Sequence, residues 1–211
     1  MVNVAGRAVK PVEIDVAGRA QLFVYESADP EATLRHAIET GESDPYATVL
    51  WPASIAAAEA LSALPLAGRH VLDLAAGTGL CSLTAASLGA TALALDHDPT
   101  GLALIAAAAA AQKLEVGTLL FDICSDDPLP PGDILTIADI LYQNELSRSS
   151  ARRVIEAVRR GTQVVIADPG RFGRVEFDEL IEREGIPLYY TSRMVQPPRE
   201  PETLVDVVVL C

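Results

Sequence analysis

A chain of 211 residues, half of them hydrophobic, is long enough for one domain with a sizeable core. Its formal net charge of −13 and pI near 4.5, with no basic run, speak against a nucleic-acid partner, because a phosphate backbone must be neutralised by Lys and Arg. The longest apolar stretch, Leu102 to Ala111, is too short to span a bilayer, so no membrane association is expected.

The predicted elements begin with a segment unlike the rest. Alternating residues in Val12–Val16 and Gln21–Tyr25 suggest two strands around a turn at Gly18. Val-Ala-Gly-Arg-Ala occurs at 4–8 and again at 16–20, in a chain where alanine is common enough for chance to produce it. Asp29 to Thr40 reads as a short helix or a loop. Residues 1–45 are taken as an N-terminal cap over the sheet edge, and 46–211 as the main domain. Trp51-Pro52 opens a helix from Ala53 to about Leu64. Strands are then predicted at 70–74, 91–95, 115–120, 133–138 and 162–167. Helices fall between and after them at 79–88, 99–112, 145–160 and 175–184. This alternation means a doubly wound parallel sheet with right-handed crossovers. The tail departs from it. Leu188–Val195 and Thr203–Leu210 are joined by a proline-rich link without a helix, which predicts an antiparallel C-terminal hairpin and seven strands in all. Arg152, Arg153, Arg159 and Arg160 are expected on the solvated face of one helix. The three cysteines, Cys81, Cys124 and Cys211, have no paired spacing, so reduced thiols and a cytoplasmic setting are expected, with no metal site. The N-terminus lacks the apolar core of a signal peptide.

The most informative stretch is residues 70–79, His-Val-Leu-Asp-Leu-Ala-Ala-Gly-Thr-Gly. A buried strand ends near Asp73, a turn of small residues lets backbone approach a ligand, and the next helix brings its positive N-terminus to the same place. Ala75 in that turn is tolerable if its φ stays negative. The next strand ends on Asp96, placed to accept hydrogen bonds from ribose hydroxyls. Gly-x-Gly turns also serve dinucleotides, but Asp73 would repel a pyrophosphate and would tolerate a cationic sulfonium. Asp139 and Tyr142 lie just past the fourth strand's carboxyl end, where open α/β sheets bind ligands. Each residue also has a plainer reading. Asp96 would be a loop acid, Trp51 a core or lid aromatic, Asp139 a helix cap, and Asp168 with Arg171 a turn with a local ion pair. Asp122 sits in a loop that also holds Asp126 and Asp127. The three histidines form no constellation.

The ordered set Asp73-Leu-Ala-Ala-Gly-Thr-Gly, Asp96, Asp122 and Asp139, with a terminal antiparallel strand, resembles the class I S-adenosylmethionine-dependent methyltransferases. Trp51-Pro-Ala-Ser, Ala138-Asp-Ile-Leu-Tyr142 and Asp168-Pro-Gly-Arg171 narrow the likeness to seven-stranded protein-lysine methyltransferases, nearest those that modify the β subunit of electron transfer flavoprotein. The resemblance covers roughly residues 45–211 and implies a Rossmann-like fold. It implies S-adenosylmethionine as cofactor, with Asp73, Ala75, Gly77 and Gly79 around its amino-acid part, Asp96 at the ribose and Asp122 at the base. Trp51 and Ala138 complete that cofactor site. Asp139 would orient a lysine amine for in-line methyl transfer and Tyr142 would line its channel. The implied partner is a protein with an accessible lysine. Two rivals stand beside this reading: a small-molecule N- or O-methyltransferase, and a nucleoside-binding partner subunit without catalysis. A shallow acidic site favours protein lysine, and a closed apolar pocket favours a small acceptor. The sequence leaves the oligomeric state open.

Overall fold

The computed structural model describes residues 1–41, 44–198 and 201–211. The N-terminal segment is a three-stranded antiparallel meander, β1 (Val2–Val4), β2 (Arg7–Val16) and β3 (Ala20–Ser27). It has one strand more than the alternation predicted. The repeated pentapeptide supplies both of its turns. Ala5-Gly6 and Ala17-Gly18 all have positive φ (51°, 80°, 50° and 68°), the left-handed pairs that match the twist of hairpin strands. The repeat is therefore one turn used twice.

Helix α1 (Pro30–Thr40) follows, with Asp29 accepting from the Ala32 amide as its N-cap and Gly41 closing its C-terminus at φ 73°. A short 3₁₀ turn (Asp44–Thr48) leads into α2 (Pro52–Ser62). The alternating part comprises β4 (His70–Leu74), α3 (Leu80–Ser87), β5 (Thr91–Asp96), α4 (Pro99–Gln112), β6 (Val116–Leu120), β7 (Ile134–Ala138), α5 (Asn144–Arg159), β8 (Gln163–Asp168) and α6 (Arg174–Arg183). Strands β9 (Thr191–Val195) and β10 (Thr203–Leu210) end the chain, and the link between them includes 199 and 200, outside the described residues. The seven-stranded sheet has the order β6-β5-β4-β7-β8-β10-β9, parallel except for β10, which runs antiparallel to both neighbours.

Period-two alternation sends side chains to two cores. Val71, Ile134, Val165 and Val207 pack under α2 and α3, whereas Leu72, Leu135, Val164 and Val208 pack against α5 and α6. The N-terminal meander lies on α2, α3 and α4 rather than over the sheet edge, and its Val12, Ile14 and Val24 join the first core. That arrangement explains the apolar stretch in α4. The helix packs on the sheet and on the meander through Leu102, Leu104, Ile105, Ala108 and Ala109, and what it leaves exposed, Ala106, Ala110 and Ala111, is small alanine. The Gln112 side chain at its end pairs with the backbone of Phe23 in β3, donating to its carbonyl and accepting from its amide at 2.9 Å each. Among the described residues, no helix is long and apolar enough to cross a membrane.

Candidate active site

The parallel strands β4, β5, β7 and β8 all end on one side of the sheet. The order reverses between β4 and β7, and a crevice opens there, as topology demands of a doubly wound sheet. It holds a cavity of about 340 Å³. Of the residues expected at the site, Trp51, Ala75, Gly77, Asp96, Asp122, Ala138, Asp139 and Tyr142 line it, and Asp73 and Gly79 do not.

Asp73 turns inward. Its Oδ2 accepts from the Ser82 amide at 2.9 Å and the Ser82 hydroxyl at 2.7 Å, and its Oδ1 accepts from the Thr136 hydroxyl at 2.9 Å. Ser82 lies in the first turn of α3, so Asp73 caps the helix N-terminus that was expected to face a ligand. The Ser82 amide of that turn is therefore engaged by the chain's own carboxylate rather than free for an anionic ligand. Burial raises the Asp73 pKa to about 6, against the lowering effect of the Ser82 and Thr136 hydrogen bonds.

Gly79 is a glycine for backbone reasons. It adopts φ 74°, and a Cβ there would lie 2.5 Å from the Ile105 side chain of α4. Ala75 overturns the expectation of negative φ. It sits at φ 56°, a left-handed alanine that costs about 1–2 kcal/mol. Gly77, also left-handed at φ 54°, donates its amide to Asp96 Oδ2 at 2.8 Å. Asp96 Oδ1 accepts from the Asp98 amide at 2.9 Å, and His97 Nδ1 stands 3.3 Å from it. The carboxylate is thus fixed between the two turns, and Oδ2, which accepts from the Gly77 amide, retains a lone-pair direction for a further donor. Phe121, Asp122 and Ile123 close the far end. Asp122 Oδ1 accepts from the Cys124 amide at 2.8 Å, which orders the turn.

The other end of the cavity is aromatic and ionic. Tyr46 from the 3₁₀ turn stands 6.1 Å, centroid to centroid, from both Trp51 and Tyr142. The Trp51 indole N–H donates to the Tyr46 carbonyl at 3.1 Å. Asp139 takes the left-handed conformation, φ 54°, which Asp tolerates better than most residues. Its Oδ1 accepts from Arg171 Nε at 2.7 Å, and the Arg171 guanidinium lies 5.5 Å from the Trp51 ring centre. No hydrogen bond of ordinary geometry reaches its Oδ2, and the Ala53 amide in the first turn of α2 lies near the carboxylate. Burial raises the Asp139 pKa while Arg171 draws it back. Asp168 does not line the cavity. Its Oδ1 accepts the amides of Gly170 and Arg171 at 2.8 Å each, which fixes the loop carrying Arg171. Gly173 ties that loop to its neighbour, donating to the Leu141 carbonyl at 3.1 Å, and a Cβ there would meet Ser147 Oγ at 2.2 Å.

Sequence reasoning missed Tyr46, Phe121 and Ile123 as lining residues and left Arg171 undecided. In a chain with 5% aromatic residues, Tyr46 so near Trp51 was the available signal. The expectation that Arg153 faces solvent is also overturned. It is 1% exposed and donates to the carbonyls of Ile123, Ser125 and Asp127 at 3.1, 2.6 and 2.6 Å, with its guanidinium 4.9 Å from the Phe121 ring centre. Among the described residues, no group of three or more His, Cys, Asp or Glu side chains is placed to hold a metal ion.

No protein-family model matches this sequence, and no curated protein matches it significantly. Solved structures are similar to it at low identity. A magnesium protoporphyrin IX methyltransferase from Synechocystis PCC 6803, with bound SAM, aligns with a TM-score of 0.58 and 13% identity over 88% of this chain and 99% of that one. A ribosomal protein L11 methylase from Lactobacillus delbrueckii subsp. bulgaricus gives 0.55 and 13%, over 74% and 77%. The C-terminal domain of precorrin-6Y C5,15-methyltransferase from Rhodobacter capsulatus gives 0.52 and 14%, over 71% and 83%. What these proteins share with the chain is its architecture, a Rossmann-like sheet of the methyltransferase type.

Proposed function

We propose that this protein is an S-adenosylmethionine-dependent methyltransferase that methylates a lysine amine of a protein. The observation that carries the reading is the cavity at the switch point, with Asp96 pinned at its floor and Asp73 withdrawn to cap α3. The donor chemistry fits a sulfonium nucleoside. Three carboxylates, Asp96, Asp122 and Asp139, line the cavity, and the Ser82 amide in the first turn of α3 is taken by Asp73. When bound, S-adenosylmethionine supplies a methyl group activated by the positive sulfur. Asp96 would hold the ribose, and Phe121, Asp122 and Ile123 the base. Ala75 and Gly77 present little side chain toward the amino-acid part. On the acceptor side, Asp139 would accept a hydrogen bond from the amine and direct its lone pair, with Tyr142 and Leu146 walling the approach. The acidic lining favours a cationic lysine over an anionic small acceptor. The resemblance in the motifs makes the β subunit of electron transfer flavoprotein the first acceptor to test.

Calorimetry with S-adenosylhomocysteine and with NAD, followed by incubation with methyl-labelled S-adenosylmethionine and a cell lysate, tests both halves. Binding of S-adenosylhomocysteine but not NAD, with label on protein lysine, is expected. Label confined to the small-molecule fraction would remove the lysine assignment. Tighter binding of NAD would remove the class.

A further inference from the structure

Arg171 occupies a place that a cationic acceptor would want. The buried carboxylate of Asp139 and the aromatic face of Trp51 form one seat for a positive charge, with Tyr46 and Tyr142 beside it. The chain fills this seat with its own guanidinium. The backbone of Arg171 is anchored by the Asp168 hydrogen bond at 2.8 Å, so the seat is filled or vacated by rotation of the side chain alone. That side chain is 36% exposed and has an open route to solvent. The carboxylate does not share the same freedom, being 2% exposed. The cavity lining also carries three carboxylates against this one arginine, so removing Arg171 from the seat leaves a net negative site that requires a replacement cation.

We infer that Arg171 is a resident counter-cation that an alkylammonium acceptor displaces from Asp139 and Trp51, which makes Arg171 a specificity-determining residue. An incoming ammonium restores the ion pair and the cation–aromatic contact that Arg171 gives up. A neutral or anionic acceptor restores neither, and faces a seat already filled. The displacement is a competition, so the apparent affinity for the acceptor is lowered by the fraction of time that Arg171 holds the seat. The inference rests on the reading of this end of the cavity as the acceptor side.

The test uses the whole chain and n-butylammonium as a stand-in for the lysine side chain. Trp51 is the only tryptophan in the sequence, so its fluorescence reports the seat directly. Wild type, Arg171→Met, Arg171→Gln, Arg171→Lys and Asp139→Asn are titrated with butylammonium and, separately, with butyrate. S-adenosylhomocysteine affinity is measured by calorimetry on the same samples. Arg171→Met and Arg171→Gln should bind butylammonium about tenfold tighter than wild type, the factor expected if Arg171 holds the seat nine-tenths of the time. Arg171→Lys, which keeps a cation, should stay closer to wild type, and Asp139→Asn should lose the binding. If Arg171→Met does not fold, the glutamine variant carries the comparison. Unchanged or weaker butylammonium binding in the neutral variants would overturn the inference. So would butyrate binding to wild type that disappears in Arg171→Met, since Arg171 would then receive an anion. Failure of every sample to bind S-adenosylhomocysteine would strike the proposed function instead, whatever the amine result.

Discussion

Asp139 and Asp73 are both buried aspartates at strand ends, and the structure gives them opposite tasks. Asp139 faces the cavity with one oxygen on Arg171. Replacing it by Asn keeps the size and the tolerance of φ 54°, but removes the charge and turns one end into a donor. Turnover on the acceptor should fall about a hundredfold while S-adenosylhomocysteine affinity stays within about threefold, since the cofactor is held by other groups. Equal losses in single-turnover rate and in calorimetric affinity would show that Asp139 serves the cofactor or the fold. Asp73 acts on stability. Its pKa rises from 3.8 unfolded to about 6 folded through burial. The folded state therefore favours the protonated form. The stability contributed by that group is fully present below pH 3.8 and is lost as pH rises to about 6, about 3 kcal/mol in all. Asp73→Asn removes this falling contribution, so between pH 4 and 6 its stability should climb more steeply with pH than that of wild type. Urea melts across that window measure the two slopes, and parallel slopes would mean that Asp73 does not titrate there.

At the scale of elements, α5 does more than cover the sheet. Arg153 reaches from it into the loop after β6 and gathers the carbonyls of Ile123, Ser125 and Asp127, while Arg152 donates to the Ser125 carbonyl at 2.7 Å. The same loop supplies Phe121, Asp122 and Ile123 to the cavity. Arg153→Met would remove the side-chain donor to the Asp127 carbonyl, leave the Ile123 and Ser125 carbonyls to Arg152, and lower stability by about 2–4 kcal/mol. Amide exchange in 122–129 should accelerate more than in β7, and S-adenosylhomocysteine should bind more weakly. If exchange in that segment does not change selectively, α5 holds the loop by packing alone. This clamp was hidden in the sequence because a charge on an amphipathic helix is ordinarily solvated. The helix boundaries and strand positions were legible because apolar period, N-capping Asp and Pro, and terminal Gly all act locally. Asp73 was misplaced for the converse reason. Its partners Ser82 and Thr136 are 9 and 63 residues away, and no local pattern shows that a strand-end acid will turn to meet them. The meander's extra strand β1 was missed because three residues, Val2–Val4, are too few to display alternation. Its turn was nonetheless spelled out by the repeat.

In the whole molecule, the arginines of α5 and its C-cap are paired with carboxylates. Arg148 pairs with Glu176 at 2.7 Å, Arg160 with Glu156 at 2.7 Å, and Arg159 with Glu184. Exposed pairs of this kind add little stability, but they consume the arginines of α5 and leave the excess of acid to define the surface. The sheet order has a separate consequence, for how the chain is made. Among the described residues, strand β9 pairs with the sheet through β10, and β10 follows it in the chain. As the polypeptide emerges, β8 and every strand before it can find their neighbours, but β9 must wait outside, and the apolar edge of β8 stays open with it. Arrival of Thr203–Leu210 fills that gap and secures two strands in one event. The eight-residue strand β10 is thus the keystone of assembly, and until it emerges a nascent chain presents the open edge of β8 as an adhesive surface.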